Sequence, residues 1–473
     1  MTVQQTSMVS VYEDDPGDPL KINPPIPHPV PQLDTQPFPT AIAETAPQPN
    51  GAGPGTEAFR YWVAADALSR AGQTWAPLVP AGTQWHSTVG RALTANLNAG
   101  KDLNAFYDRE GLWFFRRTVA GVTVAACESP EVVEHETGHA ILDALRPQLF
   151  NTASAETAAL HEAFGDISAL LSSLRLESLR VEVLAETQGD LELSSRMSRM
   201  AEQLGWAIRQ GHPDAVDPDC LRNLSNSFFY HDPVQLPPNG PANTLSSEPH
   251  SFSRVFSAAF LKIIAGIFRQ QDLQDQAGLA RAAEIAGQLL VDAVVAAPVV
   301  SAYYAQVAGH MIAADQHRNG GAHGRSLRSA FIRHGILSLE AATSITESEV
   351  ARRGAGIAEA TPGGGDDQGL TAVTVHGATY DVAQPLTLSA PAQERRFGIA
   401  GSDPAGGTLR PADPERVATS YLEDLFRRGR VQVPEEHRTE TTLVDDNPSR
   451  LKTHEIVRST TGEGFALIRR CFD

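Results

Sequence analysis

Cysteine is nearly absent from this chain, which has only Cys127, Cys220 and Cys471 among its 473 residues. Three scattered thiols are too few for a disulfide framework, and they lack the paired spacing of a thiolate zinc site. Both kinds of site are therefore excluded at the level of sequence.

Long apolar runs are also missing, since none approaches the roughly 18 residues that a membrane-spanning helix needs. The longest candidate, residues 289–300, is interrupted by Asp292 and Pro298. The first ten residues have neither the basic region nor the apolar region of a signal peptide. We therefore expect no membrane partner and no conventional export signal. The sequence does not decide between a cytoplasmic location and export by an unconventional route.

Basic residues are outnumbered, with 38 Lys and Arg against 56 Asp and Glu, and the net charge is −18. This imbalance argues against a nucleic-acid or anionic-membrane partner. The hydrophobic fraction of 41% and charged fraction of 20% are ordinary for a globular protein. The length allows two or three domains, and the oligomeric state is not indicated.

The most informative stretch is residues 129–147, which is predicted to be a helix. Ser129 can cap its first turn, Pro130 suits the first helical position, and the following proline at 147 ends it. His135 and His139 are four residues apart, so both imidazoles lie on one side and can bind one zinc ion. Glu136, beside the first ligand, can act as general base on a zinc-bound water.

A second predicted helix, residues 152–176, can complete this site. Glu162 lies at a distance from His139 that lets two antiparallel helices meet across a short loop, and it would give a His, His, Glu ligand set. Asp166, one turn further, is placed to accept the free ring N–H of a ligand histidine. Two acidic residues four apart on a helix most often lie on its solvent-exposed face. Here their neighbours are apolar, so the acids need a partner.

Composition and periodicity divide the chain into five parts. We expect a proline-rich arm, extended or disordered, over 1–56; a β-containing lobe ending in the zinc-binding helix over 57–150; a helical lobe over 151–352; a glycine-rich linker over 353–369; and a small α+β accessory domain without a recognisable site over 370–473.

Five short motifs, in order, resemble those of the thermolysin family of zinc metalloendopeptidases. They are Asn104-Ala105-Phe106-Tyr107, His135-Glu136-Thr137-Gly138-His139, His161-Glu162-Ala163-Phe164-Gly165-Asp166, Leu221-Arg222 with Ser225, and Pro249-His250-Ser251. The resemblance covers about residues 57–337. It implies an α+β fold of two lobes with zinc in the cleft between them.

The resemblance implies a role for each matching residue. His135, His139 and Glu162 would hold zinc, Glu136 would activate the water, and Asp166 would orient a ligand histidine. His250 would stabilise the oxyanion, and Arg222 would bind a substrate carbonyl and steady Glu162. Asn104 and Ala105 would bind the substrate backbone.

The implied function is a zinc-dependent endopeptidase acting on peptide or protein substrates. One departure from the family pattern is Phe150, which stands where the family has a tyrosine that helps to hold the oxyanion. Losing one such donor typically costs about 100- to 1,000-fold in rate. The alternative is therefore a weakly active or inactive zinc-bound protein of the same fold that binds peptides.

Overall fold

The computed structural model describes residues 7–19, 23–49, 52–344, 363, 365–392, 412–439, 444, 445, 447, 450–460 and 464–472. Within these ranges the protein is a mixed α+β structure, which confirms the predicted class. Most of the linker predicted over 353–369 lies outside the described residues. Asp366, inside that range, contacts Nη1 of Arg109 at 3.0 Å.

The strands that precede the histidine-bearing helix are short. They are β1 (Met8–Val11), β2 (Ile26–Pro29), β3 (Thr40–Ile42), β4 (Leu93–Asn96), β5 (Ala105–Tyr107), β6 (Leu112–Phe114), β7 (Arg116–Val119) and β8 (Val122–Ala125). Four of them form a sheet in the order β3-β4-β6-β5. The proline-rich segment thus contributes β3, which pairs in parallel with β4.

Strand β5 lies at one edge of that sheet. The carbonyl of Asn104 accepts from the N–H of Phe115, and the N–H of Asp108 donates to Gly111. Even-numbered residues therefore face β6, and the alternation of an antiparallel ladder turns the backbone of Ala105 and Tyr107 to the outer edge.

Most of the helices follow this sheet in the sequence. They are α1 (Glu57–Trp75), α2 (Pro130–Leu145), α3 (Ala155–Ser173), α4 (Glu177–Thr187), α5 (Glu202–Arg209), α6 (Pro249–Phe268), α7 (Gln276–Ala296), α8 (Tyr303–Asn319), α9 (Gly324–Arg333) and α10 (Leu339–Ser344). By length and composition alone α6 could cross a membrane, but 89% of its apolar window is buried inside the protein. The core helix of a globular protein passes the same test.

Helix α2 begins where the sequence predicts. Ser129 accepts a hydrogen bond from the N–H of Val132, and Pro130 occupies the first turn. All 16 residues of α2 and all 19 of α3 are buried. Because α3 has no solvated face, Glu162 and Asp166 must be satisfied inside the protein.

Two glycines let α2 and α3 cross closely. A methyl group at Gly138 would lie 2.7 Å from Cβ of Ser168 and 3.1 Å from Cα of Gly165. The indole of Trp75 on α1 donates to Ser168 at 3.0 Å and stacks on Phe164. The crossing is thus fixed from a third helix.

The later part of the chain forms a second sheet with one helix against it. Its elements are β11 (Leu370–Val375), β12 (Leu386–Pro391), α11 (Pro414–Arg427), β13 (Val431–Gln432), β14 (His454–Arg458) and β15 (Phe465–Arg469). Two earlier strands, β9 (Arg199–Met200) and β10 (Arg222–Asn223), form a separate pair. The sheet order is β11-β12-β15-β14-β13, and β14 and β15 pair antiparallel.

The residues after β15 join this sheet to the helical core. Phe472 exchanges two backbone hydrogen bonds with Tyr107 on the outer edge of β5. Its ring lies 3.8 Å from that of His161 and 5.4 Å from that of Phe150, between ring centroids. Arg469 donates to the carbonyl of Phe150 at 2.9 Å. The boundary predicted at residue 370 stays a prediction, but hydrophobic packing is continuous across it.

Replacing Phe472 with alanine should therefore destabilise the protein. Removing a ring that is 1% exposed leaves a cavity against His161 and Phe150, and such changes cost about 3–5 kcal/mol. Urea denaturation followed by circular dichroism measures the free energy of unfolding. Leu273→Ala, at a residue that is 64% exposed, is the control. An unchanged free energy in Phe472→Ala would show that this contact does not stabilise the core.

Candidate metal and active site

The crossing of α2 and α3 brings three predicted ligands together. Nε2 of His135 lies 3.4 Å from Oε2 of Glu162, and Nε2 of His139 lies 3.8 Å from the same oxygen. One ligand atom from each residue lies within 4.8 Å of the others, and all three residues are buried. A buried His-His-Glu group of this size could hold a metal ion.

Two atoms of this group are poorly satisfied by the protein itself. Nε2 of His139 and Oε2 of Glu162 are buried, and neither makes a hydrogen bond of good geometry within the described ranges, although Oε2 has ion-pair contacts with histidine rings. Leaving buried polar atoms without a bond costs about 1–3 kcal/mol each. A cation placed between the three side chains would satisfy both, so the donor set fits a metal.

Asp166 orients the first histidine. Its Oδ1 lies 3.2 Å from Nδ1 of His135 and accepts from Nη2 of Arg222 at 2.7 Å. Burial raises the pKa of Asp166, but the charges of Arg222 and His135 outweigh it and hold that pKa well below its usual value. Asp166 is thus an anion that fixes the ring of His135. The direct partner of Arg222 is Asp166 rather than Glu162, the residue it was expected to steady.

His161 supports the second histidine, a contact that sequence reasoning missed. Nδ1 of His139 lies 2.9 Å from Nδ1 of His161. Burial lowers the pKa of both rings well below the usual value, so both are neutral. If Nε2 of His139 is a ligand, its Nδ1 carries the proton and donates to His161. The stacked ring of Phe472 fixes the plane of His161.

His250 lies on the other side of Glu162. Its Nε2 is 3.1 Å from Oε2 of Glu162, and its Nδ1 is 2.9 Å from Oε1 of Glu248. Burial lowers the pKa of His250, but the two carboxylates outweigh burial and raise that pKa to about 10. Glu248 also accepts from the N–H of Ser251 and so fixes the start of α6.

A cleft with a cavity volume of about 400 Å³ opens beside the metal-ligand group. His135 and Glu136 line its floor, and the predicted substrate residues Asn104, Ala105 and Arg222 line its walls. Part of the wall is apolar and comes from Leu204, Ile208 and Val216. The volume lies in the usual range for ligand sites.

Phe150 lies away from this cleft. Arg109 covers its ring at 4.1 Å, and Tyr107 and Phe472 pack against its edges. Neither Phe150 nor any tyrosine is among the described residues that line the cleft.

Several residues of the site escaped sequence reasoning, for different reasons. Glu248 stands two residues before His250, and Arg254 one turn after it, so helical spacing could have found both. His161 directly precedes Glu162 and was read only as part of a motif. Arg430, which also lines the cleft, directly precedes β13, and no spacing in the sequence connects it to the other residues.

Comparison with protein-family models and with curated proteins finds no match for this chain. A functional assignment therefore depends on the geometry of the site.

Gly165 is expected to control metal binding through His135. A methyl group on Gly165 would lie 2.6 Å from Cε1 of His135, so Gly165→Ala must displace the ring. We expect the affinity for a divalent metal ion to fall about 10- to 100-fold, although alanine is the better helix former. Competition with a chromogenic chelator measures this. Gly211→Ala, where the added methyl meets nothing within 4 Å, is the control, and an affinity equal to that control would contradict the role of Gly165.

Proposed function

We propose that this protein is a zinc-dependent endopeptidase with the two-lobe architecture of the thermolysin family. The observation that carries the proposal is the buried group of His135, His139 and Glu162, with Glu136 on the same cleft. The sheet with β5 at its edge comes before α2 in the chain, and α3 and the later helices come after α2. Residues from both parts line the cleft, as two lobes around a site require.

Zinc is the metal that suits the donor set. Two imidazole nitrogens and one carboxylate oxygen are the ligands of catalytic zinc sites that keep one position open. When bound there, zinc supplies a Lewis acid that polarises a carbonyl oxygen and acidifies water.

Glu136 takes the role of general base. It follows His135 on α2, is 3% exposed, and lines the cleft without belonging to the ligand group. Its carboxylate can accept a proton from the attacking water and pass it to the leaving amine.

His250 and Arg222 act on the substrate carbonyl. Both line the cleft, and carboxylates fix both side chains, Glu248 for the imidazole and Asp166 for the guanidinium. Positively charged groups held in fixed positions stabilise an oxyanion without reorganisation. The two cations can stabilise the oxyanion that a tyrosine hydroxyl also helps to hold in the family pattern.

The cleft suits an extended peptide. The outer edge of β5 presents the backbone of Ala105, so a substrate strand can pair there by adding to the sheet. Beside it, the apolar wall of Leu204, Ile208 and Val216 suits an apolar side chain next to the cleaved bond.

The second candidate function is a zinc-bound protein that binds peptides and cleaves them weakly or not at all. The observation that favours it is the position of Phe150, whose place in the core brings no hydroxyl into the cleft. Turnover of a casein-type substrate, with and without chelator, distinguishes the two functions.

Removing one histidine should abolish zinc binding. His139→Ala deletes a ligand from a three-ligand group, so zinc content measured by mass spectrometry should fall from one per chain to near zero. The exposed His317 provides the control His317→Ala, which should keep its zinc. Full zinc content in His139→Ala would show that the metal binds elsewhere.

Removing the general base should leave zinc in place and stop hydrolysis. Glu136→Gln keeps the size of the side chain but cannot accept a proton, so casein turnover should fall roughly 100- to 10,000-fold. Zinc content is measured on the same sample. The exposed Glu177 gives the control Glu177→Gln. Activity close to that of the control would remove Glu136 from the mechanism.

A further inference from the structure

Strand β5 meets the cleft only at its beginning. Leu103, Asn104 and Ala105 line the cleft, whereas Tyr107 is not among the described residues that do so. The backbone of Ala105 and of Tyr107 faces the outer edge of the sheet, because the even-numbered residues beside them face β6. The edge to which a peptide strand can add therefore starts in the cleft and runs towards Tyr107.

Tyr107 is already paired on that edge. Its N–H donates to the carbonyl of Phe472 at 3.1 Å, and its carbonyl accepts from the N–H of Phe472 at 2.9 Å, which makes an antiparallel bridge. The N–H of Ala105, by contrast, donates to the side chain of Asn104 at 2.9 Å. A peptide carbonyl can replace that side chain, but a peptide cannot pair with Tyr107 while Phe472 remains there.

The segment of residues 469–472 is anchored on both sides of its bridge to β5. The N–H of Arg469 donates to the side chain of Asn151 at 3.0 Å. The ring of Phe472 is 1% exposed, and its centroid lies 3.8 Å from that of His161 and 3.9 Å from the guanidinium carbon of Arg469. A peptide that displaced Phe472 would gain two backbone hydrogen bonds by breaking two of the same kind, and it would expose an apolar ring. The segment therefore stays in place when a peptide binds.

The spacing of a β-strand determines where a bound peptide meets this segment. A strand paired at Ala105 reaches the position beside Tyr107 at its next outward-facing pair, about 7 Å along the edge. Phe472 fills that position. The peptide must therefore end, or leave the edge, within about two residues of the residue that pairs with Ala105.

The direction of the peptide decides which of its ends is limited. Antiparallel pairs outnumber parallel ones roughly two- to three-fold in sheets, and β6 and Phe472 both pair with β5 in the antiparallel sense. An antiparallel peptide runs from the Tyr107 side towards the Ala105 side. The blocked position thus falls on the N-terminal part of the peptide.

We propose that the segment of residues 469–472 is a specificity-determining element that restricts the protein to peptides with a short N-terminal part. This inference rests on the proposed function, because it concerns the peptide bound in the same cleft. The C-terminal part of the peptide runs along Leu103 and Asn104, which line the cleft, and this segment does not limit it. Cleavage then falls close to the N-terminal ends of substrates.

The test measures how peptide length affects binding without turnover. In the Glu136→Gln background, isothermal titration calorimetry compares acetylated and amidated peptides that contain a single leucine and several alanines. The alanines all precede the leucine in one isomer and all follow it in the other, and the leucine fixes the register against the apolar wall. We expect the C-terminally extended isomer to bind about tenfold tighter, because only its added residues gain hydrogen bonds along the edge.

Substitutions in the segment then identify the cause of this difference. Phe472→Pro removes the N–H that bonds to Tyr107, so the N-terminally extended isomer should bind about as tightly as the other. Arg470→Gln is the matched control, since Arg470 belongs to the same segment and its side chain is 52% exposed. Zinc content and circular dichroism show whether each variant is folded, and hydrogen exchange at Tyr107 shows whether the bridge is broken.

Hydrogen exchange also gives a measurement that needs no substitution at residue 472. The amide of Phe472 should stay as protected in the presence of excess N-terminally extended peptide as it is in the free protein, because the segment is not displaced. Loss of its protection on binding would show that the peptide takes the place of the segment, and this would overturn the inference.

The remaining results separate this inference from the proposed function. Equal binding of the two isomers, tighter binding of the N-terminally extended isomer or no binding at all overturns the inference. A difference that survives in a folded Phe472→Pro with a broken bridge does so too. If the difference is found but the unsubstituted chain cleaves no peptide, the endopeptidase proposal fails and the inference stands. If casein is cleaved but the isomers bind equally, the reverse holds.

Discussion

The close crossing of α2 and α3 is the constraint on which the site depends. Gly138 and Gly165 have no side chains, and this lets His135 on one helix approach Glu162 on the other. A methyl group at Gly138 would force the helices apart, and one at Gly165 would displace the ring of His135. Packed interiors resist such movement because they are as dense as organic crystals. The positions of the ligand side chains therefore depend on how closely α2 and α3 pack.

Two carboxylates in and beside this crossing each lie between two basic side chains. Asp166 lies between His135 and Arg222, and Glu248 lies between His250 and Arg428. Asp166 is buried and Glu248 is partly buried, and each contacts two basic side chains, which offsets the cost of taking the carboxylate out of water. The same pairs fix the direction of each functional ring, so the interactions that make burial tolerable also give the site its geometry.

Local patterns in the sequence predict the site well where the signal lies within one helix. The cap at Ser129, the proline at 130 and the spacing of His135 and His139 predict α2, and the apolar neighbours of Glu162 predict a buried acid on α3. The α+β class follows from the same periodicities. The thermolysin-like architecture and the domain boundaries stay predictions.

What the sequence did not predict depends on contacts between distant segments. His161 becomes a partner of His139 only through the angle at which two helices cross. Phe472 and Arg430 reach the site because a sheet at the far end of the chain folds back on the first one. No periodicity records such a contact, since it is decided by tertiary packing.

The packing of Phe472 also bears on how the protein is made. Arg469 donates to the carbonyl of Phe150 across 319 residues of chain, and Phe472 closes over His161 from the same segment. A ribosome adding about 5–20 residues per second completes the two helices of the site well before it supplies this cover. During that interval the ring of His161 and the outer edge of β5 at Tyr107 lack their final neighbours. An unpaired strand edge of this kind is where a nascent chain is most open to mispairing or to a chaperone.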